Sequence, residues 1–292
     1  MRNINEILNK LPQTIGNEIK RLPTDVLESL EEIRMKVGQD IRILAKNSEY
    51  LIQIKTDHTL LANILNQILN YSYYAFEEEL AKGYVTIEGG HRIGVCGRTV
   101  VEGGLVKLIK DISSLNIRCS REVQGASEAC LPYIIKNPNE IYNTIIVSPP
   151  KCGKTTLLRD IIRSLSYSGF KVGVCDERSE LAGTYLGKSS FDMGPRTDIL
   201  DGCPKEQGMI MLIRSMAPDI IATDEIGKKE DVYAIETALC AGIGIVTTIH
   251  GNTYEDIVAS GIGETIMKRA FQRMIFLCNT PKTGSIKEIR DV

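Results

Sequence analysis

Residues Ile145-Ile-Val-Ser-Pro-Pro-Lys-Cys-Gly-Lys-Thr-Thr156 run from a short apolar strand into a glycine-lysine-threonine turn and then into a helical stretch. This pattern constrains the fold strongly. A loop of this kind leaves the carboxyl end of a buried strand and turns its backbone N–H groups toward an anion at a helix N-terminus. Ser148, Pro149, Pro150, Lys151, Cys152, Gly153, Lys154, Thr155 and Thr156 therefore form a candidate phosphate-binding loop. Lys154 places a point charge on the outer phosphates, and Thr155 offers a hydroxyl to Mg²⁺ at the start of a helix expected over 155–165. The usual spacing puts glycine six positions before the lysine, where this chain has Ser148. The two prolines stiffen the loop and remove two N–H donors.

Three further segments end apolar strands in polar residues. Asp219-Ile-Ile-Ala-Thr-Asp-Glu-Ile226 places Asp224 to orient the Mg²⁺ held by Thr155, and Glu225 to reach a water in line with the terminal phosphate. Lys171-Val-Gly-Val-Cys-Asp-Glu-Arg-Ser-Glu180 closes on Asp176, Glu177 and Glu180. It is expected as an inserted strand between the lysine loop and the Asp224 strand. Gly244-Ile-Val-Thr-Thr-Ile-His250 ends in His250, placed to sense the terminal phosphate or position water. Open parallel sheets bind ligands at this carboxyl edge.

The rest of the chain bounds the reading. Its 292 residues leave room for two domains, and 43% apolar with 25% charged residues is globular usage. A net charge of −2 leaves no basic footprint for nucleic acid. The eight cysteines contain no Cys-x-x-Cys pair, so neither a zinc site nor a disulfide framework is indicated. No apolar run reaches the roughly 18 residues of a membrane helix, and no signal peptide is legible.

A smaller α+β domain is expected over 1–120. Ile4, Ile7, Leu8 and Leu11 share one helix face, strands follow at 33–37, 41–45 and 50–55, and a helix carries Leu60, Leu61, Ile64, Leu65, Ile68 and Leu69. A hairpin is expected at 84–96 around Gly89-Gly90-His91. This half shows no catalytic cluster and is expected to make subunit and partner contacts. A linker near Arg118–Gly125 leads to an α/β nucleotide-binding domain over 121–292. The stretch 182–205 reads as a long connection, either a functional loop or a mobile surface segment.

In their order the four strand-end segments resemble the secretion ATPases of type II and type IV systems. Ile87 to Gly97, Leu115 to Glu122, Ser148 to Thr156, Gly194 to Pro204 and Asp224 to Gly227 resemble the stage III sporulation protein AA family more closely. The resemblance implies a RecA-like P-loop core and an ATP- and Mg²⁺-dependent ATPase assembled as a hexameric ring. It places that ATPase in the mother-cell cytoplasm, held at the membrane by a partner and driving a channel complex of membrane-embedded sporulation proteins. It also implies Glu180 as the catalytic glutamate; Glu177, in the same acidic segment, is the reserve candidate.

Two other readings stay open on the residues alone. One is a nucleotide-gated module with negligible turnover, which would not need the acids Glu177, Glu180 and Glu225. The other is a nucleic-acid translocase on the same core, for which 5% aromatic residues supply few stacking platforms. Lys154 is the one motif lysine, and no motif arginine adjoins it. An arginine from a neighbouring subunit is therefore expected, with Arg118, Arg121 and Arg196 as candidates and Arg92 and Arg98 behind them.

Overall fold

Ile33 and Met35 face inward along one strand while Arg34 and Lys36 face out, and Ile41, Ile43 and Ala45 repeat the pattern on the next. Such alternation specifies a sheet with one buried face. The computed structural model describes residues 2–46, 48–258 and 263–292. They form two compact units: Met1–Arg121 with Gly183–Ser190, and Glu122–Ala182 with Phe191–Val292.

The first unit opens with helices α1 (Arg2–Asn9), α2 (Gln13–Lys20) and α3 (Thr24–Glu28). Strands β1 (Leu30–Lys36), β2 (Asp40–Ala45) and β3 (Ser48–Lys55) follow, then α4 (His58–Ile68) and α5 (Glu77–Ala81). Strands β4 (Tyr84–Ile87), β5 (His91–Glu102) and β6 (Leu105–Arg118) complete an antiparallel sheet in the order β3-β2-β1-β6-β5-β4. The Asp57 carboxylate caps α4 by accepting from the Leu60 N–H at 2.7 Å. This gives the helix a fixed start, and it buries Leu61, Ile64, Leu65 and Ile68.

Two expectations change here. Arg118 does not lie in a linker but is the last residue of β6, because the in-out alternation of β6 continues through Leu115 and Ile117. The hairpin around Gly89–His91 is present, yet its second strand runs on to Glu102 and pairs with β6.

In the second unit a short helix α6 (Leu131–Ile134) and a two-stranded ribbon of β7 (Ile135–Asn137) and β8 (Glu140–Ile141) precede the main sheet. That sheet contains β9 (Thr144–Ser148), β10 (Val172–Asp176), β11 (Thr197–Asp201), β12 (Ile220–Thr223), β13 (Gly244–His250), β14 (Arg273–Cys278) and β15 (Ser285–Asp291). Helices α7 (Lys154–Tyr167), α8 (Lys205–Met216), α9 (Lys229–Cys240), α10 (Tyr254–Val258) and α11 (Gly263–Ala270) connect them. The order is β11-β10-β12-β13-β9-β14-β15, parallel except for the β14–β15 pair.

Every residue of β9, β10 and β12 is buried, as expected for parallel strands covered on both faces. Ile146, Val174 and Ala222 pack into one core layer with α7, whereas Ile145, Cys175 and Ile221 pack into the other with α8 and α9.

The acidic strand β10 is not inserted between the lysine-loop strand and the Asp224 strand. It lies on the far side of β12, and β13 fills the place between β12 and β9. Nor is 182–205 one long loop. Gly183–Ser190 belongs to the first unit, where Tyr185 stacks on Phe76 and Ser190 Oγ accepts from the Gly89 N–H at 3.1 Å. Thr197–Asp201 then forms β11.

Candidate nucleotide site

The parallel register brings the carboxyl ends of four strands to one edge. His250 pairs with Ser148, Thr223 with Thr247, and Cys175 with Thr223. The polar residues just beyond those strands therefore meet.

Gly153 caps α7 in the left-handed region at φ +84°, and Lys151 lies there too at φ +61°. Glycine accepts that geometry freely, whereas Lys151 is strained by it. Left-handed residues in such a loop are how backbone nests for anions are made. Ser148, in the position usual for glycine, is buried, and its hydroxyl donates to the Pro149 carbonyl at 2.8 Å. Pro150 and Lys151 are exposed, Cys152 is buried, and Thr156 is half-buried on the first turn of α7.

Lys154 is only 7% exposed. Burial pushes its pKa down, against the pull of Asp224 and Glu225. Its ammonium donates to His250 Nδ1 at 2.9 Å and to the Ser148 carbonyl at 3.4 Å. With Nδ1 accepting, the imidazole carries its proton on Nε2, which faces Glu225 Oε1 at 3.3 Å. Glu225 Oε2 in turn lies 3.8 Å from Arg178. Lys154, His250, Glu225 and Arg178 thus form one polar chain.

The Thr155 hydroxyl donates to Asp224 Oδ2 at 2.8 Å, and Thr248 Oγ1 bonds Asp224 Oδ1. Thr248 Oγ1 also accepts the Glu225 N–H at 2.9 Å. Hydroxyl and carboxylate oxygens beside a lysine suit Mg²⁺ bound together with phosphate oxygens. The donor set fits Mg²⁺ with a polyphosphate.

A second set of residues organises the acids. Asp176 is 2% exposed and accepts the N–H groups of Glu180, Leu181 and Ala182, each at 2.9 Å. Arg159, on α7, donates to the carbonyls of Leu181 at 2.6 Å and Glu180 at 2.8 Å, with its guanidinium 3.9 Å from the Phe191 ring centroid. The backbone at Glu180 is therefore held from both sides. A small cavity is lined by Asp176, Glu177, Arg178, Glu180, Lys205, Asp224 and Glu225.

Sequence reasoning missed Arg159, Thr248 and Lys205. The Thr247-Thr248 pair near the end of an apolar strand was the one visible signal for Thr248. Nothing local marks Arg159, which looks like an ordinary helix-surface arginine until the chain folds over it.

Burial raises the Asp176 pKa to about 6 despite its three N–H partners. A carboxyl whose folded pKa exceeds its unfolded value stabilises the fold when protonated and loses that contribution as pH rises. Stability should therefore fall by up to about 3 kcal/mol between pH ~4 and ~6 on this account. Chemical denaturation across that range, with Asp176→Asn as control, checks it: the variant should lose this part of the slope.

Of the arginine candidates, Arg121 donates to the Leu30 carbonyl at 2.7 Å within the first unit, and Arg118 is exposed. Arg196 donates to the Gly169 carbonyl at 3.0 Å in the second unit. Arg92 lies over the Tyr84 ring at 3.5 Å, and Arg98 pairs with Lys110 across the β5–β6 hairpin.

A parallel sheet whose edge gathers a lysine loop, a threonine–aspartate pair and an acidic turn defines a RecA-like P-loop protein of the secretion-ATPase fold. The ATPase DotB of Legionella pneumophila matches with a TM-score of 0.58 at 15% identity, over 91% of this chain and 76% of that one. The pilus retraction motor PilT with bound ADP matches at 0.57 and 14% identity, over 95% and 80%. The chain belongs to the family "Sporulation stage III, protein AA", whose model matches residues 1–292. It is 39% identical to the stage III sporulation protein AA of Bacillus subtilis (strain 168) over 295 aligned positions, 99% of this chain and 95% of that protein.

Proposed function

We propose that this chain binds Mg-ATP at the carboxyl edge of the second unit's sheet and hydrolyses it, driving a membrane channel complex during endospore formation. The observation that carries the reading is the meeting of Thr155 with Asp224 at 2.8 Å beside a lysine whose ammonium reaches His250 at 2.9 Å. Bound Mg²⁺ would neutralise charge on the outer phosphates. Thr155 and Asp224 would hold it, and Lys154 would bind the phosphates. Glu225 and Glu180 are the acids assigned to position water. His250, which accepts from Lys154 at 2.9 Å, is the residue assigned to sense the terminal phosphate or position water.

The protein works as a ring of identical copies, a hexamer on the secretion-ATPase analogy. It sits in the mother-cell cytoplasm and is held to the membrane through a partner. No helix among the described residues is long and apolar enough to cross a membrane. The amino-terminal domain, 1–120 on the sequence reading, supplies subunit and partner contacts, and 121–292 the ATPase core, apart from Gly183–Ser190, which packs with the first unit. Nucleic acid is not assigned as substrate, given the net charge of −2.

Lys154→Ala tests the binding half of this reading. Loss of a charge-assisted contact worth about 1.5–3 kcal/mol should weaken ATP binding about tenfold to over a hundredfold. Fluorescent-ATP titration measures it, and parent-like affinity in the variant would remove the phosphate-loop assignment.

A further inference from the structure

The segment Gly202-Cys203-Pro204, which carries part of the family resemblance, leads into Lys205, and no step of the proposed reaction uses it. Helix α8 begins at Lys205, and one turn in, at Gly208, it passes very close to β10. A Cβ at Gly208 would collide with Cys175 Sγ. Cys175 Sγ also lies 3.7 Å from the Cys203 carbonyl and 3.8 Å from the Lys205 carbonyl, and the Gly202 N–H donates to the Asp176 carbonyl at 2.9 Å. This close approach sets the start of α8 over the carboxyl end of β10, beside the acids.

The Lys205 side chain, 13% exposed, reaches two of them. Its ammonium donates to the Glu225 carbonyl at 2.6 Å and pairs with Glu177 at 3.4 Å. Glu225 needs such a partner. It is a non-glycine residue at φ +51°, in the left-handed region that a side chain disfavours. Thr248 Oγ1 holds its N–H and Lys205 its carbonyl, so the strained residue is gripped on both sides.

We propose that Lys205 is a positioning residue that locks the Glu225 turn and the Glu177 loop together, aiming the Glu225 carboxylate at the nucleotide site. A lysine suits this task because one ammonium can hold a backbone carbonyl by a hydrogen bond and a carboxylate by an ion pair, here on different segments. The proposal rests on the ATPase reading for its catalytic consequence, but the lock belongs to the protein itself.

The test uses the full chain with Lys205→Met and Lys205→Arg. Displacing a reacting group by about 1 Å costs about a hundredfold in rate, and partial loosening is expected here. Lys205→Met should bind fluorescent ATP within about threefold of the parent while kcat falls about tenfold. Lys205→Arg, keeping a cation of similar reach, should recover most of that loss. Hydrogen exchange at the amides of Glu225–Gly227 and Glu177–Ala182, measured without nucleotide, should rise in the methionine variant and not in the arginine variant. Parent-like kcat in Lys205→Met overturns the catalytic consequence, and unchanged exchange at both segments overturns the lock. If the parent hydrolyses no ATP, the ATPase reading fails, and the exchange result still decides the role of Lys205. Thermal melts of both variants identify general misfolding. If the methionine variant misfolds, exchange in folded Lys205→Gln decides by the same criterion.

Discussion

Glu180→Gln and Glu225→Gln should each leave ATP bound and slow its hydrolysis by about a hundredfold or more, the usual cost of losing a positioned general base. The two acids reach the cavity by different routes. Glu225 follows directly on Asp224, in a strained turn, with its carboxylate against His250 Nε2 and Arg178. Glu180 comes from the loop after β10, where Asp176 holds its N–H and Arg159 its carbonyl. Glutamine keeps the size and hydrogen-bonding ability of each side chain but cannot accept the proton of an attacking water. Single-turnover hydrolysis, run beside fluorescent-ATP titration, separates chemistry from binding. A variant that turns over at the parent rate removes that residue from the water-positioning role. Glu177 is the reserve, although its carboxylate is engaged by Lys205 at 3.4 Å.

The strand-end residues were legible in the sequence because each is local. A buried strand followed by Gly153-Lys154-Thr155 or by Asp224-Glu225, or ending in His250, is recognisable as a polar strand end from its own few residues. Parallel topology then gathers those ends automatically. What stayed illegible depends on contacts distant in sequence. Arg159 meets the Glu180 loop 21 residues away, and Lys205 meets Glu225 20 residues away. Neither partner can be known before the strand order is known. The same lack misplaced β10, since chain order does not reveal that β13 lies between β9 and β12. Arg118 was assigned to a linker because polar residues follow it closely, yet its backbone completes a strand whose inward residues, Leu115 and Ile117, were already apolar.

Mixing two inactive variants should restore turnover if the site is shared between copies. The cavity is lined by five carboxylates, Asp176, Glu177, Glu180, Asp224 and Glu225, against two cations, Arg178 and Lys205. Both cations are engaged, Arg178 with Glu225 and Lys205 with Glu177 and a backbone carbonyl. Adding Lys154 and Arg159, which interacts electrostatically with Asp176 and Asp224, still leaves five carboxylates against four cations, before any bound Mg²⁺ is counted. On the proposed ring, a cation from a neighbouring copy would close the deficit, and such arginines contribute about 10³–10⁵ in rate where they act. Arg118 is the first candidate because it ends β6 exposed. Arg121 comes next, with part of its guanidinium held by the Leu30 carbonyl, and Arg196 follows, engaged with the Gly169 carbonyl. Arg118→Ala and Lys154→Ala preparations, each inactive, should therefore regain part of the parent rate on mixing, since an intact loop then meets an intact arginine across some interfaces. Parent activity per chain should also fall on dilution below the assembly concentration. Specific activity independent of dilution, together with no recovery in any mixture of Arg118→Ala, Arg121→Ala or Arg196→Ala with Lys154→Ala, would place the whole cationic complement within one chain. Arg178, which lines the cavity 3.8 Å from Glu225, would then be the next residue to replace, as a cation of the same chain.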